Sequence, residues 1–170
     1  DFRGLAWGDS ADEIIRAEGE LPSFDGESEG LYVLGYQDRI MGIGCYVVYI
    51  LASNQLTRSR YVVSDAHTNT TDYLRDFMTL MSSLSGKYGE PQEDESLWKN
   101  EMYRDDPSQW GKAVAVGHLI KYVTWDLPRT HIALMITGDN NEIELAVEYT
   151  SKKHENVDAE AMKAEVEKKL

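Results

Sequence analysis

The side chains in this sequence able to do chemistry do not fall into a familiar catalytic spacing. Its histidines are His67, His118, His131 and His154, and none stands in an H-x-x-x-H or H-E-x-x-H pattern that would put two ligands on one helix face. No G-x-S-x-G elbow occurs, and no serine has an obvious histidine and acid partner nearby. Triads assemble in space rather than along sequence, so a hydrolase using dispersed acidic residues stays open as the alternative reading. Carboxylate pairs are too plentiful in this chain to single out two. Gly42-Ile43-Gly44 lacks the third glycine and the following helix of a dinucleotide loop, and no P-loop is present. No cofactor is expected.

Metal chemistry fares no better. Cys45 is the only cysteine, which rules out an internal disulfide and a cysteine-based zinc site. Its setting in 44–50 is apolar and strand-like, where a cysteine is an inert small hydrophobe rather than a nucleophile. Asp139-Asn140-Asn141-Glu142, Asp105-Asp106 and Asp94-Glu95 offer oxygens to a cation but lack the calcium-loop pattern. The first has hairpin-turn chemistry instead. No metal site is expected.

Recognition is better supported. Ten Tyr and four Trp stand against three Phe, and such rings join apolar area to a polar tip. Trp98, Tyr103 and Trp110 cluster around the polar, acidic stretch 92–106, where a core role is least obvious. They either pack that stretch onto a sheet or form a surface for a protein or peptide partner, and they are the candidate partner contacts. The formal charge of -13 repels phosphate backbones and anionic lipid surfaces, so nucleic acid is not an expected partner. The longest apolar run, 45–52, is far short of the roughly 18 residues of a membrane helix and suits a buried strand. No transmembrane segment is expected, and the sequence leaves the oligomeric state open.

These residues must be positioned by an α+β scaffold. Ser10 and Glu13 form a capping box for a first helix with Ile14, Ile15 and Ala17 as its apolar face and Gly19 as its stop. Residues 20–30 read as a loop, followed by strands at 31–36, 43–53 and 55–64. A helix over 71–87 carries Leu74, Phe77, Met78, Met81, Leu84 and Tyr88 at spacings of three and four. Asp106-Pro107 starts a short helix, and strands follow at 119–125, 131–137 and 142–149. In the last strand Ile143, Leu145, Val147 and Tyr149 face one way and Glu142, Glu144, Ala146 and Glu148 the other. Asp158 caps a final helix with the narrow stripe Met162, Val166 and Leu170. The expected fold is an antiparallel sheet built from two three-stranded meanders, with helices packed on one face. Residues 1–151 form one domain, with pseudo-repeat halves 1–91 and 92–151, and 152–170 form a helical tail.

The opening Phe2-Arg3-Gly4-Leu5-Ala6-Trp7-Gly8-Asp9-Ser10 resembles the F-[KR]-G-[IL]-x-W-G-x-S start of uncharacterised bacterial exported proteins and lipoproteins. The tyrosine-rich strands, the helix ending Tyr88-Gly89-Glu90-Pro91 and the paired strands to about Ser151 are similar too. By element order alone the chain also resembles the β-lactamase inhibitor protein and outer-membrane assembly lipoproteins. The resemblance implies a non-enzymatic, extracytoplasmic or cell-surface domain that binds a protein or peptide, its signal or anchor segment lying outside this chain. It implies no catalytic residue.

Overall fold

The computed structural model describes residues 2–169. Its first helix, α1 (Ala11–Glu18), begins at the capping box: the Ser10 hydroxyl accepts from the Glu13 N–H, and the Glu13 carboxylate accepts from the Ser10 N–H. Gly19 ends it with φ 76°, a left-handed geometry that costs glycine little. Ile14 is the buried anchor, whereas Ala17, expected on the apolar face, points to solvent.

Eight strands follow in two runs. The first is β1 (Phe24–Ser28), β2 (Leu31–Ile40), β3 (Ile43–Ala52) and β4 (Gln55–Val63). The second is β5 (Glu93–Trp98), β6 (Leu119–Asp126), β7 (Thr130–Asp139) and β8 (Glu142–Ser151). They make one antiparallel sheet in the order β1-β2-β3-β4-β8-β7-β6-β5, with β4 and β8 joined at its centre. Each run holds four strands where three were expected. The added strands, β1 in the supposed loop 20–30 and β5 in the polar stretch 92–106, are the outer edges of the sheet. Their sequences, FDGES and EDESLW, lack the alternating apolar signal because neither strand has a fully buried face: β1 is exposed throughout and β5 is exposed except at the half-buried Trp98. Charged side chains on such edges deter pairing with other chains.

Between the runs lie α2 (Thr70–Tyr88), a single 3₁₀ turn (Pro107–Gln109) and α3 (Trp110–Ala115). α2 buries Phe77, Leu80 and Leu84. Met78, expected on that face, is instead 51% exposed, because one helical position turns a side chain about 100° around the axis. The principal core joins Ile14, Phe77, Leu80, Leu84, Ala113 and Val114 to alternate strand residues such as Val47, Tyr49, Leu51, Val123, Trp125, Ile132, Leu134, Val147 and Tyr149. α1, α2 and α3 therefore share one face of the sheet.

The last helix, α4 (Val157–Lys169), is on the other face. Val157 and Ala161 pack on Leu31, Ile50 and Ala52, with Val33 and Val48 alongside. Ile50 and Ala52 have the opposite parity to Tyr49 and Leu51, so they point away from the principal core. Helices on one face alone would have left these residues wet. The narrow stripe expected on this helix is not the docking face: Met162 and Val166 are exposed, and Leu170 lies outside the described residues. Asp158 does not cap the helix but sits in its first turn, where its carboxylate accepts from the Thr57 hydroxyl and pairs with the Arg58 guanidinium.

The chain's opening segment is woven into this scaffold. The Phe2 ring meets Tyr49, Tyr61 and Tyr149 at centroid distances of 5.7, 5.1 and 4.8 Å. Arg3 bridges Glu18 and Asp38, and the Trp7 indole donates to the Thr130 hydroxyl at 2.9 Å. These opening side chains have internal, structural partners. No helix among the described residues is long and apolar enough to cross a membrane.

Candidate binding surface

α4 covers only the end of its face near the turn between β1 and β2, and the remainder of that face carries no helix. Strand register places the residues there. Tyr46 on β3 pairs with Val62 on β4, Val62 with Ala146 on β8, Ala146 with Met135 on β7, and Met135 with Tyr122 on β6. One apolar or aromatic residue from each of five adjacent strands therefore forms a continuous row. At ~4.8 Å per strand the row is roughly 19 Å long. Phe24 extends it at the β1 end, with its ring 5.9 Å from Tyr46 in edge-on geometry. That ring lies over Gly35, where a Cβ would come within 2.0 Å of the Phe24 Cζ. Leu97 lies on this face of β5, opposite Ile120.

The row is partly accessible. Met135 is 40% exposed and Tyr46, Val62 and Tyr122 are half-buried, while Ala146 at its centre is buried; beside the row, Phe24 is 43% exposed and Leu97 48%. The wet face of an antiparallel sheet ordinarily alternates to polar residues, and contiguous apolar side chains there depart from that pattern. Charged residues border them. On one side Arg60 pairs with Glu148 at 2.8 Å, and on the other stand Asp139, Glu142 and Glu144.

The middle of the row borders a notch in the sheet. β4 leaves β8 after the Val62–Ala146 pair, while β8 stays paired with β7 out to Asp139–Glu142. Beyond Val63 the chain stays beside β3: the Ser64 N–H donates to the Gly44 carbonyl, and the Asp65 carboxylate accepts from the Gly44 N–H. A groove of about 600 Å³ occupies the gap, lined by Arg60, Val62, Val63, Asp139, Ile143 and Glu144 among others.

The three aromatic residues expected as partner contacts come together elsewhere, on the α2–α3 side. Trp98 and Trp110 meet edge-on at 5.8 Å, and Tyr103 stacks on His118 at 5.7 Å. The Lys112 ammonium stands 5.3 Å over the Tyr103 ring, and that of Lys121 5.7 Å over Trp110. The Trp110 indole donates to the Arg104 carbonyl at 3.0 Å. All three are half-buried against the principal core, so their main contacts are internal. Met102, at 70% exposure, is the most accessible apolar residue of this stretch.

The groups closest to catalytic geometry also have structural roles. Ser151 Oγ and His154 Nδ1 are 2.9 Å apart, but Ser151 has no exposed surface, and its Oγ also accepts from the His154 N–H. His154 is 8% exposed and abuts Gly8, closing the β8 end against the chain's opening segment. His67 reaches the Asp76 carboxylate at 2.6 Å and braces the start of α2. Burial raises the Cys45 thiol to about 11, well away from a nucleophile's range. Among the described residues no group of three or more potential ligands could hold a metal ion.

The apolar row could not be read from the sequence, because it depends on register across five strands. Its signal was the unbroken apolar run 45–52, which marks a strand with apolar residues on both faces. Comparison with known proteins finds no family model, no curated protein and no solved structure that matches this chain.

Proposed function

We propose that this chain is a non-enzymatic domain that binds a protein or peptide partner across the row Tyr46, Val62, Ala146, Met135 and Tyr122. The observation that carries this reading is the partly accessible apolar row on the half of the sheet that no helix covers. Aromatic residues at the centre of an interface supply large contact area at low entropic cost, and a charged rim sets orientation. The extracytoplasmic setting rests on the resemblance of the opening motif alone. Trp98, Tyr103 and Trp110 form the competing surface, and the row is favoured because Met135 within it and Phe24 and Leu97 beside it are exposed, whereas the three rings pack on the principal core.

A photo-crosslinking residue at position 122 identifies the partner, whose affinity is then measured with purified proteins. Tyr46→Ser combined with Tyr122→Ser is expected to weaken binding by about 100-fold, since two central aromatic anchors together contribute roughly 3 kcal/mol. Replacing Trp98, Tyr103 and Trp110 with alanine is expected to change affinity less than threefold in protein that remains folded. The opposite pattern transfers the site to the three rings and refutes the row. Unchanged affinity in both variants refutes the two surfaces together.

A further inference from the structure

The notch beside the row has a property the row itself lacks: an unpartnered strand edge within the sheet. From Glu142 to Leu145, β8 pairs with β7 on one side and has no strand on its β4 side. In a β-strand alternate residues point their N–H and C=O groups to alternate sides, so two residues of this stretch direct theirs into the gap. The missing neighbour is the continuation of β4, which ends at Val63 and whose next residues stay on β3 through the Ser64 and Asp65 bonds to Gly44. What remains is an opening of about 600 Å³ with apolar side chains at Val62, Val63 and Ile143 in an otherwise mostly polar lining.

Charge defines what fits. Asp139 and Glu142 are paired across the β7–β8 hairpin, and Glu144 stands one pleat further along the same face. None of these three carboxylates has an ion pair among the described residues, whereas Arg60, the cation on this wall, is taken by Glu148. A second copy of this acidic chain would bring like charges together there. A segment with Lys or Arg at alternate positions would meet all three acids on the open face while its backbone paired with β8.

We propose that a basic, extended segment of a partner protein adds as a strand to the free edge of β8, in the gap left by β4. This deepens the binding reading and rests on it, because the last β4–β8 pair, Val62–Ala146, belongs to the apolar row, and a strand seated in the notch would lead its flanking residues onto that row.

The test uses the whole chain and a fluorescein-labelled peptide, acetyl-(Lys-Val)₃-amide, with two controls N-methylated at the odd or the even positions. Anisotropy is expected to show saturable binding of the parent peptide and its loss for at least one methylated control. Binding is expected to weaken about tenfold with Glu142→Gln plus Glu144→Gln, two exposed changes that leave the core intact. Backbone amide shifts are expected to centre on residues 142–145. No binding, equal binding of both methylated peptides, or shifts centred on the outer edges β1 or β5 would overturn the proposal, as would dimerisation through this edge in sedimentation. The two readings fail separately. If the crosslinked partner needs Tyr46 and Tyr122 while the peptide ignores β8, only strand addition falls. If the peptide pairs with β8 while the partner ignores the row, only the row falls.

Discussion

Gly35 is expected to be irreplaceable for one reason only, the ring of Phe24 above it. An added Cβ would lie within 2.0 Å of Phe24 Cζ, 2.1 Å of Cε1 and 2.4 Å of Cε2, so Gly35→Ala must expel the ring. Phe24 is 43% exposed, leaving 57% (100 − 43) covered. For an aromatic side chain of about 200 Å², that is roughly 110 Å² of burial, worth at most about 3 kcal/mol at ~25 cal/mol/Å². A ring that swings aside and keeps half its contacts would forfeit about 1.5 kcal/mol, so the expected loss is about 1.5–3 kcal/mol. Urea denaturation of wild type, Gly35→Ala, Phe24→Ala and the double variant forms a closed cycle. Because alanine suits a strand better than glycine, Gly35→Ala is expected to be neutral or slightly stabilising once Phe24 is gone. The reasoning is refuted if Gly35→Ala alone costs less than about 0.5 kcal/mol, or if it costs the same in both backgrounds.

Two further outcomes follow from the titrating groups. With its thiol raised to about 11 by burial, Cys45 is expected to resist a disulfide reagent at pH 7.5 in the native protein and to react fully once unfolded; rapid native labelling would contradict its placement. The Asp38 carboxyl is held below its ordinary value by the Arg39 N–H and by Arg3. Its folded value is thus below its unfolded one, so its contribution is present above the usual carboxylate range and lost as pH falls through the folded value. Asp38→Asn is expected to flatten the acid limb of a stability-against-pH curve, and an identical limb would show that the Arg3 contact is energetically silent.

Sequence alone settled the elements whose signals are local. Ser10 and Glu13 cap a helix by bonds that span three residues, and Gly19 stops it by its own backbone freedom. The alternation of Ile143, Leu145, Val147 and Tyr149 identified the core face of β8, because side chains on one strand face alternate ways wherever the strand lies. The charge of -13 is additive and needs no fold. Tertiary structure decided the rest. β1 and β5 are strands because β2 and β6 offer them backbone partners, an interaction that FDGES and EDESLW do not encode by themselves. α4 crosses to the second face because Ile50 and Ala52 need cover there, which is visible only once β3 has its neighbours. The sequence gathered Trp98, Tyr103 and Trp110 by proximity, but their burial was set by how α3 and β5 meet the core. The row from Tyr46 to Tyr122 draws on 101 positions of sequence (46 to 146) and exists only through register, since a slip of one residue in any strand would turn its member to the opposite face.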